Sequence, residues 1–293
     1  MIRAALLLAL LPSVAFAESG AILEKIRATG QITVGVREAS APFNFIDDHG
    51  QNAGFGWEIS QRIVAQIKDT LQLPALEVKT FILNPQTRVA LIANRTVDLE
   101  CSSTTNNEQR QHQVAFSDSY FIVGTRLLTR KDSGINDFDD LRGKRVVVEA
   151  GTTSERLLRQ LNSAEKMNID ILLSKDTAAN FMTVETGRAT ASMGDDIMFH
   201  GNIATASDPS AWKVTGVPRT YEAYGCMMGK GDPEFKAIAD KVIAGMQTSG
   251  EMRVLYDKYF NSPINVRGGI NLALPLSREN TELYRAPSDK PLQ

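Results

Sequence analysis

Strand-length apolar runs alternate with segments of helical period twice along this 293-residue chain, and this alternation limits the possible fold more than any other feature. The first series runs strand, helix, strand, helix, strand over residues 31–36, 57–71, 75–83, 85–94 and 97–103. The second has the same order over residues 144–150, 154–166, 168–174, 177–186 and 188–194. Strands that alternate with helices of this length predict βαβ units. We therefore expect an α/β protein with two mostly parallel sheets.

Two further strand-like segments adjoin these series. Residues 120–130 lie between the series and residues 222–231 follow the second, and neither has the Pro/Ser-rich composition of a flexible linker. Two ordered segments that each connect the two series suggest a hinge between them. Helices are predicted next at 233–249 and 251–260, and the Pro- and Gly-containing tail from Asn261 is expected to wrap around the protein as coil.

Residues 1–17 have the features of a signal peptide: a positive head, an apolar stretch at 4–11 and a small-x-small cleavage site at 15–17. A membrane anchor would need roughly 20 apolar residues, and Pro12 interrupts this run well before that length. We expect export, with cleavage after Ala17.

The charge of the chain is balanced, with 32 basic and 34 acidic residues. Binding to nucleic acid or to an anionic membrane surface calls for clustered Lys and Arg, which this balance does not indicate. We therefore expect a small-molecule partner, with no nucleic acid and no direct membrane insertion.

The chain has two cysteines, Cys101 and Cys226, and an even number in an oxidising compartment favours a disulfide. The three histidines, His49, His112 and His200, show no spacing that suggests a catalytic dyad or a metal site. We interpret the histidines as surface or packing residues, and we expect neither a metal nor a cofactor.

Hydroxyl side chains cluster after two predicted strands. Four follow one strand at residues 102–105, and three more follow another at 152–154; each cluster also fits the start of a helix. A helix cap needs one hydroxyl, so the extra donors favour anion binding, although simple capping remains the alternative. The sequence predicts that Ser103 and Thr105 face a cleft and bind a ligand carboxylate.

Three charged residues complete this predicted site. Asp195 follows a strand of the second series and is the candidate for a ligand ammonium, with helix capping as the alternative. Asn84 and Pro85 read as a helix start, which puts Arg88 in a first turn where the helix dipole disfavours a cation. Arg88 is therefore a candidate carboxylate clamp, with an exposed surface arginine as the alternative. Arg37, after the first strand, is a second candidate cation.

With these residues, the chain resembles the family 3 bacterial solute-binding proteins, the polar amino-acid receptors of ABC importers, and within that family the receptors for glutamate and aspartate. The segments that carry the resemblance span nearly the whole chain after the signal peptide: "ILEKIRATGQITVGVRE", "LECSSTTNNEQRQ", "AFSDSYFIVGTRLLTRK", "AGTTSERLL", "SKDTAANFMTVETGRA", "GDDIM", "YGCMM" and "INLALPLS".

The resemblance implies a two-lobe, type II periplasmic-binding-protein flytrap joined by two hinge strands. Lobe 1 would comprise residues 20–124 and 227–293, and lobe 2 residues 125–226. It also implies a periplasmic, non-enzymatic monomer that binds a free L-amino acid and delivers it to an ABC permease in the inner membrane.

The resemblance further assigns roles to site residues. Asp195 would bind the ligand ammonium, and Arg37 the side-chain carboxylate of glutamate or aspartate. The α-carboxylate and α-amino end would be held by a group of four: Arg88, Ser103, Thr105 and Thr153.

Two positions depart from the family pattern. The receptors for acidic ligands have Ser where this chain has Pro85 and His where it has Thr177, and both side chains help to hold the distal carboxylate. Each unmet hydrogen-bonding group costs about 1 to 3 kcal/mol, so a neutral polar amino acid such as glutamine or asparagine is the alternative ligand. Trp57 and Phe43 could also reshape that end of the pocket.

An exported dehydratase or lyase on the same scaffold is the alternative from another functional class. Such an enzyme would need a general acid or base in the cleft. Glu58, Glu149 and Asp196 are the candidates, but the sequence indicates no paired partner for any of them.

Overall fold

The computed structural model describes residues 20–266 and 268–292, and the predicted signal peptide at 1–17 lies outside these residues. The described strands are β1 (Gln31–Val36), β2 (Ala39–Ser40), β3 (Asn44–Ile46), β4 (Asn52–Ala53), β5 (Glu77–Ile82), β6 (Leu99–Glu100), β7 (Thr105–Asn106), β8 (Val114–Arg130), β9 (Arg145–Glu149), β10 (Asp170–Ser174), β11 (Ala191–Asp195), β12 (Trp212–Thr215) and β13 (Tyr221–Gly229).

The described α-helices are α1 (Ala21–Thr29), α2 (Phe55–Leu71), α3 (Arg88–Ala93), α4 (Glu108–Gln111), α5 (Thr153–Ala164), α6 (Thr177–Glu185), α7 (Asp196–Ala204), α8 (Pro233–Ser249), α9 (Glu251–Phe260) and α10 (Arg278–Arg285). Short 3₁₀ helices cover Phe138–Leu141 and Pro209–Ala211. No helix of this described part is long and apolar enough to cross a membrane.

One hydrogen-bonded path joins the main strands in the order β10-β9-β11-β8-β13-β6-β1-β5, with β12 beside β8 and β7 beside β13. We call β1, β5, β6 and β7 the first half of the sheet and β9 to β12 the second half. β1 pairs in parallel with β5 and β6, and β9 pairs in parallel with β10 and β11. These parallel pairs are the βαβ units that the sequence predicts.

The long strands β8 and β13 cross from one half to the other. They pair antiparallel from Val114↔Gly229 to Gly124↔Tyr221, and beyond Gly124 strand β8 pairs with β11 and β12. Within this path the antiparallel pairs are those formed by β8 and β13, and β2, β3 and β4 form a separate antiparallel sheet. Both crossings are strands, as the sequence predicts.

An aromatic cluster fills the core beside the first half. The ring centroid of Phe43 lies 5.0 Å from that of Phe121 and 5.2 Å from that of Tyr224, both in edge-on geometry. Phe55 and Phe260 pack against the same ring. Fully burying a side chain of this size stabilises the fold by about 1.5–3 kcal/mol, so this cluster anchors the helices to the sheet.

Helices cover both faces of the second half. Leu127, Val146 and Leu158 belong to the apolar cluster on one face, and Phe181 and Trp212 belong to the cluster on the other. Strand β9 reads as a continuous apolar run because both of its faces are buried, one in each cluster.

Asp232 joins two helices that are far apart in sequence. Its side chain caps α8 by accepting a hydrogen bond from Phe235 N, and Pro233 occupies the first helical position. The other carboxylate oxygen accepts hydrogen bonds from Ile22 N at 2.9 Å and Leu23 N at 3.1 Å. One buried carboxylate therefore fixes the start of α1 against the start of α8.

Cys101 and Cys226 form a disulfide, which confirms the predicted pairing. The bond joins the segment after β6 to strand β13, with a Cα–Cα distance of 4.2 Å. The returning strand is therefore attached covalently to the first half of the sheet.

One predicted helix start is wrong, and the capping alternative for Thr105 is excluded. Helix α3 begins at Arg88 rather than Pro85, because Asn84 Oδ1 accepts hydrogen bonds from Thr87 N at 3.0 Å and Thr87 Oγ1 at 2.9 Å and holds a turn first. Thr105 does not cap α4; Asn107 does, by accepting a hydrogen bond from the Arg110 N–H.

The C-terminal tail contains a helix where the sequence predicts coil. Helix α10 is capped by Ser277 and contains the buried residue Asn280. Asn280 accepts a hydrogen bond from Ile122 N at 2.8 Å and donates one to Ile122 O at 3.0 Å. These bonds hold the helix against strand β8.

Candidate functional site

One cavity lies between the two halves of the sheet, and every sequence-predicted ligand-binding residue lines it: Arg37, Arg88, Ser103, Thr105, Thr153, Thr177 and Asp195. The fold explains this convergence, because the carboxyl ends of parallel strands and the N-termini of the following helices meet at one edge. Arg37 follows β1, Thr153 begins α5 and Asp195 ends β11. That these residues bind a ligand remains a prediction.

Arg88 is the most buried cation of the cavity, with 2% of its surface exposed. Its Nη1 donates to Ser103 O at 3.0 Å and also to Thr104 Oγ1, while Nε has no hydrogen-bond partner among the described residues. Burial lowers the pKa of the guanidinium, and the Glu100 carboxylate acts in the opposite direction. Arg88 is therefore held in place from one side and keeps a donor that is not used by the chain.

Glu222, on strand β13, connects the hydroxyl groups of the two halves. Its Oε2 accepts from Thr105 Oγ1 and from Thr153 Oγ1, the latter at 2.7 Å. Because these hydroxyl hydrogens are directed to Glu222, the two oxygens can only accept from a ligand. The Thr105 hydroxyl, predicted to bind a ligand carboxylate, therefore has no hydrogen free to donate in this structure and offers an acceptor oxygen instead.

Asp195 precedes α7 but makes no side-chain hydrogen bond that caps the helix. Its carboxylate instead accepts from the Tyr224 hydroxyl, and Ser154 Oγ lies 3.5 Å away. Burial raises the pKa of Asp195 to about 8, the negative charge of Glu222 adds to the rise, and the Tyr224 hydrogen bond opposes it. A carboxylate destabilised in this way gains strongly from a cationic partner.

Sequence reasoning missed both Glu222 and Tyr224. They lie in the strand "YEAYGCMMG", where every residue after Tyr221 is buried. A buried acid in an otherwise apolar strand is rare unless it is paired, and this was the available signal for Glu222. Tyr224 carried no comparable signal, since buried tyrosines are common in cores.

Arg37 and Glu149 form an ion pair at the cavity wall, in which Arg37 Nη2 donates to Glu149 Oε1. Thr177 Oγ1 lies 3.5 Å from the other carboxylate oxygen. The sequence predicts a ligand carboxylate as the partner of Arg37, whereas in this structure the partner belongs to the chain.

Three residues considered for the side-chain end do not line this cavity. Phe43 lies in the aromatic core, Trp57 packs against that core, and Pro85 lies beside a neighbouring groove. Gly151 approaches the Pro85 segment closely: a Cβ at Gly151, whose φ is 78°, would lie 2.9 Å from Gln86 N. Glycine therefore allows loops from the two halves to meet at the edge of the cavity.

The carboxyl groups considered for an enzyme are dispersed. Glu58 accepts hydrogen bonds from Lys258, Tyr259 and Arg62, outside the cavity. Asp196 also lies outside and accepts a hydrogen bond from Gly124 N at 3.3 Å. Only Glu149 of the three lines the cavity.

The histidines do not contribute to the cavity. His49 and His112 are exposed, and His200 is half-buried in a separate groove. In residues 20–266 and 268–292, no group of three or more His, Cys, Asp or Glu side chains could hold a metal ion.

The sequence profile of the bacterial extracellular solute-binding proteins, family 3, matches residues 32–262. An L-glutamate/L-aspartate-binding protein of Pseudomonas aeruginosa is 47% identical over 269 residues, which cover 92% of this chain and 89% of the relative. A glutamate/aspartate import solute-binding protein of Salmonella typhimurium is 47% identical over 274 residues, covering 94% and 90%. A solved mutant of ArgBP from T. maritima matches with a TM-score of 0.73 and 25% identity, covering 82% of this chain and 100% of that chain.

Proposed function

The chain belongs to the bacterial extracellular solute-binding proteins of family 3, and on this basis we propose that it is the receptor component of an amino-acid ABC importer. It captures a free L-amino acid and delivers it to a permease in the inner membrane. The relatives described above are named for glutamate and aspartate, so these two acids and their amides are the first ligands to test. Those names describe binding proteins, which supports binding rather than catalysis.

The observation that supports this proposal most is the pairing of opposite charges across one cavity. Arg88 has an unused N–H donor and takes the α-carboxylate, with Ser103 beside it. Asp195 takes the α-ammonium, with the acceptor oxygens of Thr105 and Thr153. An α-amino acid carries its ammonium and its carboxylate on the same carbon atom and so supplies both charges. A simple anion or cation supplies only one.

Capture proceeds by closure of two lobes, with residues 20–124 and 227–293 in one lobe and residues 125–226 in the other. The ligand first contacts Arg88, Ser103 and Thr105, and the second lobe then adds Thr153 and Asp195. Because these later contacts exist only in the closed state, ligand binding favours closure. Bending is expected where β8 and β13 pass from one lobe to the other, since these two strands join the lobes.

The receptor acts as a monomer in the periplasm after removal of residues 1–17. Family membership supports an extracytoplasmic location, and the pattern of residues 1–17 supports export with cleavage after Ala17. The closed form is the one that the permease recognises.

A thermal-shift screen of the exported protein against the twenty L-amino acids tests this function. A ligand at 100 times its Kd adds about 2.7 kcal/mol to the free energy of unfolding, so the bound amino acid should raise the Tm clearly. The N-acetylated form of the best ligand is the control, because it lacks the ammonium and should give no shift.

The proposal fails if no L-amino acid raises the Tm. Recovery of the ligand after prolonged incubation separates binding from catalysis: a receptor returns it unchanged, whereas a dehydratase or lyase converts it.

A further inference from the structure

Arg37, whose guanidinium is predicted to face the ligand side chain, already has a carboxylate partner within the protein. Arg37 Nη2 donates to Glu149 Oε1, and the two side chains expose only 5% and 11% of their surface. Thr177 Oγ1 lies 3.5 Å from Glu149 Oε2, and all three residues line the cavity. A ligand side chain that reaches this wall therefore meets a buried ion pair rather than a free cation.

The charges of the cavity lining balance without any help from the ligand side chain. Among the lining residues described, the cations are Arg37 and Arg88, and the anions are Glu149 and Asp195 once it faces an ammonium. A zwitterion with a neutral side chain keeps this balance. A side-chain carboxylate adds an anion beside Glu149 with no cation to match it, a fourth after Glu149, Asp195 and the α-carboxylate, and an unbalanced buried charge is strongly disfavoured.

The ion pair offers one donor group and one acceptor group at the same place. Arg37 carries only N–H donors, and the Glu149 carboxylate carries only acceptors. A primary amide complements both, because its oxygen accepts from Arg37 and its NH₂ donates to Glu149. A carboxylate can use Arg37 but has no hydrogen to give to Glu149, and a site of paired polar groups discriminates strongly against a ligand that leaves one unpaired.

We infer that Glu149 determines the side-chain specificity of this receptor, so that it selects an amino acid with a primary amide, asparagine or glutamine, over the corresponding acid. The inference rests on the proposed function, because it assumes that Arg88 and Asp195 hold the α-carboxylate and α-ammonium. It departs from the ligands for which the 47% identical relatives are named.

Calorimetric titration of the exported protein with asparagine, glutamine, aspartate and glutamate at pH 7 tests the inference. The better amide should bind at least about 10-fold more tightly than the acid of the same length, a difference of about 1.4 kcal/mol. Tighter binding of either acid than of its amide would overturn the inference and leave the proposed function intact. Tightest binding of lysine or arginine in a parallel titration would overturn it equally. Failure of every amino acid to bind would overturn the proposed function itself.

The variant Glu149→Gln tests the residue directly, since it removes the charge with little change in shape. The ratio of the amide affinity to the acid affinity should fall by at least about 10-fold, because Arg37 is released for the acid. Glu282→Gln, at an exposed helix position outside the cavity, is the matched control and should leave that ratio unchanged. An unchanged ratio in Glu149→Gln would overturn the role of Glu149. If this variant does not fold, the wild-type titrations still decide the amide preference.

Discussion

Thr105, in the first half of the sheet, and Thr153, at the start of helix α5 beside the second half, donate their hydroxyl hydrogens to the same oxygen of Glu222. Glu222 lies on the crossing strand β13, so the strand between the halves also fixes the orientation of a hydroxyl on each side. The two threonine oxygens are thereby left as acceptors for a cationic group. Glu222 therefore connects β13, a strand expected to bend during closure, with two hydroxyl groups predicted to contact the ligand.

Glu222→Gln should weaken binding of every amino acid by about 10-fold, the equivalent of about one charge-assisted hydrogen bond. It should also lower the pKa of Asp195, because the Glu222 charge contributes to raising it. Calorimetry across a pH series measures both effects. A loss of affinity without movement of the pH midpoint would show that Glu222 acts on the threonines alone.

Arg88→Ala should reduce affinity for all amino acids by at least about 100-fold, since it removes charge-assisted hydrogen bonds worth about 1.5–3 kcal/mol each. Arg88→Lys should give an intermediate loss, because it keeps the charge without the planar fork. Arg278→Ala, an exposed position, serves as control in the same titrations. Undiminished binding in Arg88→Ala would mean that the carboxylate clamp is misassigned.

Affinity should rise with pH between about pH 6 and pH 8. The raised pKa of Asp195, about 8, means that the free protein is largely protonated there at neutral pH, whereas a bound ammonium favours the ionised form. Binding therefore releases at most one proton per site, and affinity rises by at most about 10-fold per pH unit. Titrations in buffers of different ionisation enthalpy measure this release.

The same pKa sets the sign of a stability effect in the ligand-free protein. Asp195 has a folded pKa above its ordinary value of 3.8, so the folded state binds the proton more tightly than the unfolded state. The contribution of this group to the free energy of unfolding should fall as pH rises from about 4 to about 8. Asp195→Asn should remove both this trend and the proton release; a variant that retains them would assign the titration to another group.

Loss of the disulfide should destabilise the protein without changing which ligand it prefers. The pair Cys101→Ser and Cys226→Ser removes a cross-link between residues separated by 125 positions, and the loss of a native disulfide costs about 2–5 kcal/mol. Urea unfolding gives the change, and a reductant should destabilise the wild type but not the double variant. Equal stability of the oxidised wild type and the variant would contradict the prediction.

Long periodic segments were predictable because their pattern is set by burial alone. The bounds of α8 and α9 match the structure, and β8 and β13 were identified as stiff crossings. Strands β2 to β4 were missed because two or three residues are too few to show a period. Helix α10 was missed because the Pro- and Gly-containing tail around it predicts coil, although Ser277 caps the helix and Asn280 bonds it to Ile122.

Most of the predicted site residues share a cavity because they end or follow a strand or begin a helix, positions that sequence can indicate; Thr105, which begins β7, is the exception. The polar partners of these residues could not be predicted in the same way. The contacts of Glu222 with Thr105 and of Arg37 with Glu149 depend on how distant strands align, and no local pattern encodes that alignment. Sequence reasoning therefore placed Glu149 in the cleft but not against Arg37, and it missed Glu222.

The chain leaves the first half of the sheet and re-enters it at neighbouring points. Gly124 pairs with Tyr221, and Thr125 N donates to Thr220 O at 2.9 Å. In genetic terms, residues 125–220 are an insertion at the tip of a β-hairpin, and a tight turn could replace them without separating β8 from β13. A gene could thus exchange this whole segment, and with it half of the cavity, while the remaining sheet kept every one of its own strand pairings.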